Sequence, residues 1–311
     1  MAKNVAGSKE SLGVFLAIVS AAALGAESIA AKLAYAGGAN ILTILAIRYL
    51  LAALLFWGVL FTRPGLQKPA GATLGWLTFV ALSGQGTTVL LLFYSFQYIP
   101  AAVAILFFYV FPAVVTLLAA IFLREALTKA KLLALAITFC GLIIILGVPG
   151  SNLDTRGVIA ALLAALTNGY YIVGQTRLLK EVNPLVYNAY MTLTIGLGFL
   201  LLALTSASFN LDFNLQAWLA IAVLILVCTV LAFVAMAWGL VLIGASRVAI
   251  ISTVEPIVTA ILGYLILGEL LKPGQVLGGL IILAGVAWLQ ISGRRPQSTQ
   301  SALDKLDTGR N

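Results

Sequence analysis

Histidine is absent from this 311-residue chain. That removes the commonest metal ligand and the side chain best suited to acid–base work near neutral pH. Cysteine occurs twice, at Cys140 and Cys228, each inside an apolar stretch. Two such residues build no disulfide framework and read as small buried hydrophobes. Charge is scarce as well: 9% of residues are Asp, Glu, Lys or Arg, where a soluble domain carries about 25%. There is no zinc-ligand spacing, no phosphate-binding loop and no nucleophile elbow, and Ile195-Gly196-Leu197-Gly198 reads as helix packing within an apolar run. Without His, a metal cluster or a nucleophile–base pair, an enzyme acting within the membrane has no machinery. The chain is therefore expected to be a non-enzyme that uses no metal and no cofactor. Extended polar regions are missing too, which argues against a sensor or assembly factor built on soluble domains.

What fills the chain is hydrophobic residues, at 62%, with a mean hydropathy of +1.11. Ten apolar stretches can be read: 12–35, 40–61, 73–96, 100–122, 130–148, 156–178, 184–206, 215–240, 245–267 and 274–292. Each is close to the ~20 residues that cross a hydrocarbon core. The first is too long for the apolar region of a signal peptide and lacks a convincing cleavage site. Residues 1–11 form a short polar start, and 293–311 a polar tail that is expected to be disordered. A net charge of +8 would suit nucleic acid, but its distribution points to a bilayer instead. With ten spans both termini share one side. That side holds Lys3, Lys9, Arg63, Lys68, Arg124, Lys129, Lys131, Arg177, Lys180, Arg294, Arg295, Lys305 and Arg310, against Lys32, Arg156 and Lys272 opposite. The positive-inside rule then puts both termini in the cytoplasm.

The chain also repeats itself. A shift of 144 residues lays Pro112 on Pro256, Gly13 on Gly157, Ala17 on Ala161, Ala21 on Ala165, Gly25 on Gly169, Glu125 on Glu269 and Gly141 on Gly285 without a gap. Two repeats follow, 12–148 and 156–292. Five spans is an odd number, so the second repeat enters from the opposite side. The expected fold is an all-α membrane protein of ten transmembrane helices arranged as two inverted five-helix repeats. Inverted repeats are typical of secondary transporters, and matched Pro-interrupted segments in the two halves point to the binding site. Pro112 and Pro256 fall near mid-span. Each is expected to kink its helix and free the carbonyl four residues earlier, at Phe108 and Ser252, so each kink should face protein or a water-filled cavity. The small residues spaced by four on the first and sixth spans allow close helix approach.

Glu255, immediately before Pro256, is the sharpest candidate for a substrate contact. A carboxylate at mid-membrane is costly unless it is paired, solvated or protonated, and it suits either a proton carrier or a partner for an ammonium group. Glu27 and Arg48 lie at equal depth on consecutive spans and form a candidate ion pair or gate. Lys32 and Arg247 are close enough to span ends to snorkel. Asn168, Tyr171 and Gln175 fall at i, i+3 and i+7 on one helical face. With Gln85, Tyr94, Phe108, Tyr109, Trp238 and Ser252 they make an aromatic wall with scattered polar groups, suited to a flat amphipathic solute. Glu125 and Glu269 are expected to cap or anchor helix ends.

The doubled Pro-centred spans, the runs Leu123-Arg124-Glu125-Ala126-Leu127 and Leu267-Gly268-Glu269-Leu270-Leu271, and the glycines Gly141 and Gly285 resemble the EamA-type transporters of the drug/metabolite transporter superfamily. The resemblance runs from about residue 12 to residue 290. Where that family often carries Trp-Gly, this chain has Leu24-Gly25 and Asn168-Gly169. Within the superfamily the chain looks most like bacterial YddG-type exporters of aromatic amino acids. That resemblance implies a ten-helix bundle exporting aromatic and other neutral amino acids from the cytoplasm. The chain is expected to work by alternating access in the cell inner membrane and to function as a monomer. Efflux of lipophilic cations or other small metabolites is the alternative cargo.

Overall fold

The computed structural model describes residues 2–62, 68–122, 129–146, 152–243, 248, 251–252 and 254–292. All regular structure among these residues is helical. In chain order the helices are α1 (Ala2–Gly25), α2 (Glu27–Ala36), α3 (Ile41–Phe61), α4 (Gly71–Val80), α5 (Thr87–Tyr98), α6 (Ala101–Phe108), α7 (Phe111–Phe122), α8 (Lys129–Leu146), α9 (Thr155–Leu178), α10 (Pro184–Thr205), α11 (Leu215–Ile225), α12 (Ala232–Ile243), α13 (Val254–Leu267) and α14 (Pro273–Ser292). Six stretches are long and apolar enough to cross a bilayer: Glu10–Ala36, Ile41–Phe61, Gly71–Tyr98, Thr155–Leu178, Pro184–Thr205 and Leu215–Ile243. Shorter apolar helices cover Ala101–Val115, Val254–Leu267 and Pro273–Gly285. Lipid offers no backbone hydrogen bonds, so a spanning chain must satisfy its own, and helices do so.

Side-chain caps and turns start and stop these helices. Asn40, Asp154, Asn183 and Asn214 each accept a backbone N–H of the first turn that follows, satisfying donors that have no intrahelical partner. The α2–α3 turn uses Gly38 at φ +95°, a conformation open to glycine at no steric cost. Several spans are interrupted rather than straight. Span one bends at Ala26, between α1 and α2. The stretches Gly71–Tyr98 and Leu215–Ile243 each contain a π-helical turn, Ala81–Gly86 and Leu226–Leu231, a feature that often marks functional sites.

The expected proline kinks are breaks, and each proline lies after the break rather than at it. α6 ends at Phe108, Tyr109 and Val110 form a turn, and α7 begins at Phe111 with Pro112 second. Pro256 is the third residue of α13. Proline is tolerated in a first turn because those N–H groups would have no partner anyway. The polar start is helical, as α1 already runs from Ala2. The tail 293–311, Arg247, and the run Leu123–Leu127 with Glu125 lie outside the described residues.

The principal seams each join an early helix to a late one. α3 packs along α10, α8 along α14, α1 along α12, α5 along α9, α2 on α11, and α7 on α9 as α1 does on α13. Glycine sets the closest approaches. A Cβ placed on Gly13 would lie 3.0 Å from Leu242 Cβ, and one on Gly157 3.0 Å from Tyr98 Cβ. On Gly25 it would meet Val258 Cβ at 2.8 Å, and on Gly169 Val114 Cβ at 3.0 Å. In both comparisons the glycines and their neighbours are offset by the same 144 residues.

Candidate substrate cavity

All but the second π turn of these helix interruptions border one cavity. Leu24 and Glu27 border it from either side of the Ala26 bend. Gln85, from the first π turn, leads a stripe of Thr88, Val89, Leu92 and Phe96. Phe108 and Phe111 flank the α6–α7 break, while Ser252 and Glu255 come from the break preceding α13. α9 contributes Asn168, Tyr171, Ile172 and Gln175, and α12 contributes Phe233, Met236 and Leu240. These stripes follow the i, i+3, i+4, i+7 spacing of one helix face. The cavity volume is about 150 Å³, an order of magnitude above the roughly 10–15 Å³ that a single water needs, so it is not a packing void.

Most of the lining comes in pairs 144 residues apart. Leu24 and Asn168, Glu27 and Tyr171, Val89 and Phe233, Leu92 and Met236, Phe96 and Leu240, Phe108 and Ser252, and Phe111 and Glu255 all face it. In four of these pairs the chemistry differs: Leu24, Tyr171, Phe108 and Phe111 are matched by an amide, a carboxylate, a hydroxyl and a carboxylate, while the other three pairs are apolar in both halves. The wall is consequently apolar with a few polar groups, the usual character of a small-molecule site.

Two carboxylates face this space. Glu27 is held by Arg48, whose Nη2 lies 2.9 Å from Glu27 Oε2. Arg48 is fully buried behind it and also donates from Nε to Thr229 Oγ1 at 2.6 Å and from Nη2 to the Cys228 carbonyl at 3.2 Å. Its guanidinium sits 5.2 Å and 5.6 Å from the ring centroids of Tyr49 and Phe93, within cation–π range. Glu255 forms no ion pair among the described residues. Its Oε2 is 3.1 Å from the Tyr109 hydroxyl, which also donates to the Ser252 carbonyl. Around the rest of the wall, Thr88 Oγ1 and Thr167 Oγ1 are 2.8 Å apart, Tyr171 donates to Met191 Sδ at 3.2 Å, and Gln85 Nε2 reaches the Tyr49 hydroxyl at 3.4 Å. No group of three or more residues suited to holding a metal ion occurs among the described residues.

Of the residues singled out in the sequence, Gln85, Phe108, Asn168, Tyr171, Gln175, Ser252, Glu255 and Glu27 line the cavity. The three remaining candidate substrate contacts do not. Tyr109 is fully buried behind the wall. Tyr94 is exposed and lies tilted against Tyr98 with centroids 4.8 Å apart, and Trp238 is exposed on α12. Tyr94 precedes the lining residue Phe96 by two positions, about 200° around a helix. Pro112 and Pro256 shape the wall without lining it. Lys32, expected to snorkel, instead pairs with Glu269 at 2.8 Å. The other oxygen of Glu269 accepts the Ala101 N–H at 2.9 Å and so caps α6. Phe233, Met236 and Leu240 escaped the sequence reading, as did Val89 and Leu92, which lie 144 residues before the first two of them.

Comparison with known proteins accords with this architecture. The family model described as the EamA-like transporter family matches twice, at residues 11–147 and 155–291. An uncharacterized transporter of Bacillus subtilis, YcbK, is 29% identical over 278 residues, covering 86% of this chain and 88% of its own. A probable terminal-alkyne amino-acid exporter of Streptantibioticus cattleyicolor is 26% identical over 239 residues, covering 76% and 80%. One solved structure, titled only as a crystal structure of a protein, superposes with a TM-score of 0.65 at 16% identity over 92% of this chain and 98% of that one; that likeness concerns the fold alone.

Proposed function

The chain belongs to the EamA-like transporter family, and on that premise we propose that it exports amino acids, aromatic and other neutral ones, by alternating access. The observation that carries this reading is Glu255, a carboxylate without an ion-pair partner among the described residues. It faces a cavity walled by Phe96, Phe108, Phe111 and Tyr171. An ammonium group at Glu255 would remove the cost of that bare carboxylate. The aromatic wall would take an apolar side chain. The Gln85, Asn168 and Gln175 amides bring N–H donors for a substrate carboxylate. The name of the Streptantibioticus relative, an amino-acid exporter, lies in the same cargo class, as does the resemblance to YddG-type exporters.

The proposed frame is ten spans in two inverted repeats, 12–148 and 156–292, acting as a monomer in the cell inner membrane with both termini cytoplasmic. Support for the repeat comes from the shared 144-residue offset of the glycine contacts and of the cavity pairs. The broken spans four and nine are the moving parts in this scheme, with the small-residue seams of α1 and α9 as surfaces for their movement.

A second cargo class has an observation in its favour. Two carboxylates face the cavity against one buried arginine, a balance that suits lipophilic cations. Proteoliposomes loaded with tryptophan, phenylalanine, threonine or a cationic dye separate the two readings. We expect amino acid export that falls sharply in Glu255→Gln. Export of no amino acid refutes the proposal. A variant that loses dye efflux but keeps amino acid export overturns the role given to Glu255.

A further inference from the structure

We infer that Tyr109 is a positioning residue that clasps the two helix breaks together and senses whether Glu255 is neutralised. The inference deepens the function proposed above and rests on it for the identity of the cargo, but not for the clasp itself. Tyr109 lies in the turn between α6 and α7. Its ring is held edge-on to Phe111, with centroids 5.5 Å apart, and Phe111 lines the cavity. Its hydroxyl crosses to the other break and meets both the Ser252 carbonyl and Glu255 Oε2. Ser252 is four residues before Pro256, so the usual helical donor to its carbonyl does not exist. The phenol takes that donor's place, alongside the Glu255 backbone N–H at 2.9 Å. A single side chain thus bridges the interruptions of the two halves.

The proton inventory turns this bridge into a sensor. A phenol has one O–H to donate and lone pairs to accept with. When Glu255 is a bare carboxylate, its Oε2 and the Ser252 carbonyl compete for that one proton. When Glu255 is protonated, its own O–H donates to the phenol oxygen and the phenol donates to Ser252, so every group is satisfied. A substrate ammonium beside Glu255 has a similar effect: it meets the carboxylate's demand and leaves the phenol proton to Ser252. Loading the site therefore tightens the clasp at the break before α13, and emptying it loosens the clasp. The titratable groups facing Glu255 are Tyr109 and, across the cavity, Glu27 and Tyr171, with Glu27 already neutralised by Arg48. Of the elements packed on α13, α6 brings no titratable residue, α2 adds Lys32, paired with Glu269, and Tyr35, which donates to the Phe93 carbonyl, and α1 carries Lys3, Lys9 and Glu10 more than a dozen positions before the Ala26 bend.

The test is a double-mutant cycle on Tyr109→Phe and Glu255→Gln, with substrate binding to purified protein measured for phenylalanine and for a cationic dye. Tyr109→Phe keeps the ring and its packing. The amide introduced by Glu255→Gln donates to the phenol oxygen as a protonated carboxyl would, so the clasp survives in that variant. The phenol-to-Ser252 hydrogen bond gained on loading joins neutral groups, so its removal weakens binding by about three- to tenfold. We expect that loss from Tyr109→Phe in the otherwise native protein, and a loss under about twofold when Glu255→Gln is already present. Equal losses in both backgrounds would mean that Tyr109 acts only as packing, and the inference would fall. A second measurement is independent of cargo. Hydrogen exchange at the residue 255 amide, without substrate, should be slower in Glu255→Gln than in the native protein, and adding Tyr109→Phe to that variant should speed it up by about fivefold. Exchange in Glu255→Gln that Tyr109→Phe leaves unchanged overturns the clasp. If neither ligand binds the native protein but exchange responds as expected, the clasp stands and the cargo assignment fails.

Discussion

Replacing Arg48 with methionine should be among the most damaging single changes in the chain. The native guanidinium is fully buried and engages Glu27, Thr229 and Cys228 at 2.9, 2.6 and 3.2 Å. These contacts fasten α3 to α2 and to the second π turn. Methionine fills much of the volume but leaves Glu27, 12% exposed, without its cation. Hydrogen bonds to charged groups contribute about 1.5–3 kcal/mol each, and breaking a buried pair from one side costs about 3–5 kcal/mol in total. At roughly 2–4 °C per kcal/mol for a chain of 150–250 residues, the melting midpoint in detergent should fall by at least about 6 °C. Most of that loss belongs to the stranded carboxylate. The double variant Arg48→Met/Glu27→Gln should therefore recover more than about 2 kcal/mol, because a neutral amide carries a far smaller burial cost. Thermal unfolding followed by fluorescence-detected size exclusion reads both variants. If Arg48→Met melts within about 2 °C of the native protein, or if the second substitution adds to the loss, the pair is not what holds these three elements together.

Other consequences are measurable in the same way. Gly25→Ala and Gly169→Ala place a Cβ within 2.8 and 3.0 Å of a valine Cβ, so each should cost about 1–3 kcal/mol through overpacking, and the two midpoints should shift by similar amounts. Glu269→Ala should destabilise more than Lys32→Met, because it removes the cap on Ala101 as well as the ion pair. A cap is typically worth about 1 kcal/mol, against about 0–1 kcal/mol for a pair with some solvent access, and the difference between the two melts checks the order. Tyr94→Ala and Trp238→Ala lie outside the cavity and should leave the transport KM within about twofold, the margin of an exposed substitution. A larger change in either would put that residue back in the substrate path.

The membrane character was legible because it rests on hydropathy, and the close helix contacts because they rest on small-residue spacing. Gly13, Gly25, Gly157 and Gly169 all proved to be close-approach points, as small residues spaced by four require. The cavity was legible wherever polarity marked it: Asn168, Tyr171 and Gln175 share a face, and Glu255 stood alone in an apolar run. Where both faces of a helix are apolar, that signal disappears. Lipid accepts Tyr94 and Trp238 as readily as a cavity wall does, so aromatic identity gave no direction. The same ambiguity hid Phe233, Met236 and Leu240. The prolines revealed an interruption but not its form. A first turn tolerates proline better than a helix interior does, and the chain breaks a residue or more ahead of each proline instead of bending around it.

The seams of the bundle also bear on how the protein is made. α3 rests on α10, α8 on α14, and α1 on α12, so the principal neighbours of the early helices are encoded more than a hundred residues downstream. During synthesis the segment ending at Leu146 reaches the bilayer before those neighbours have left the ribosome. Its glycine grooves and the Arg48 side chain must then wait against lipid or against helper proteins of the insertion machinery. A ribosome stalled midway through this message would leave a product with no settled structure, one that membrane quality control should remove quickly.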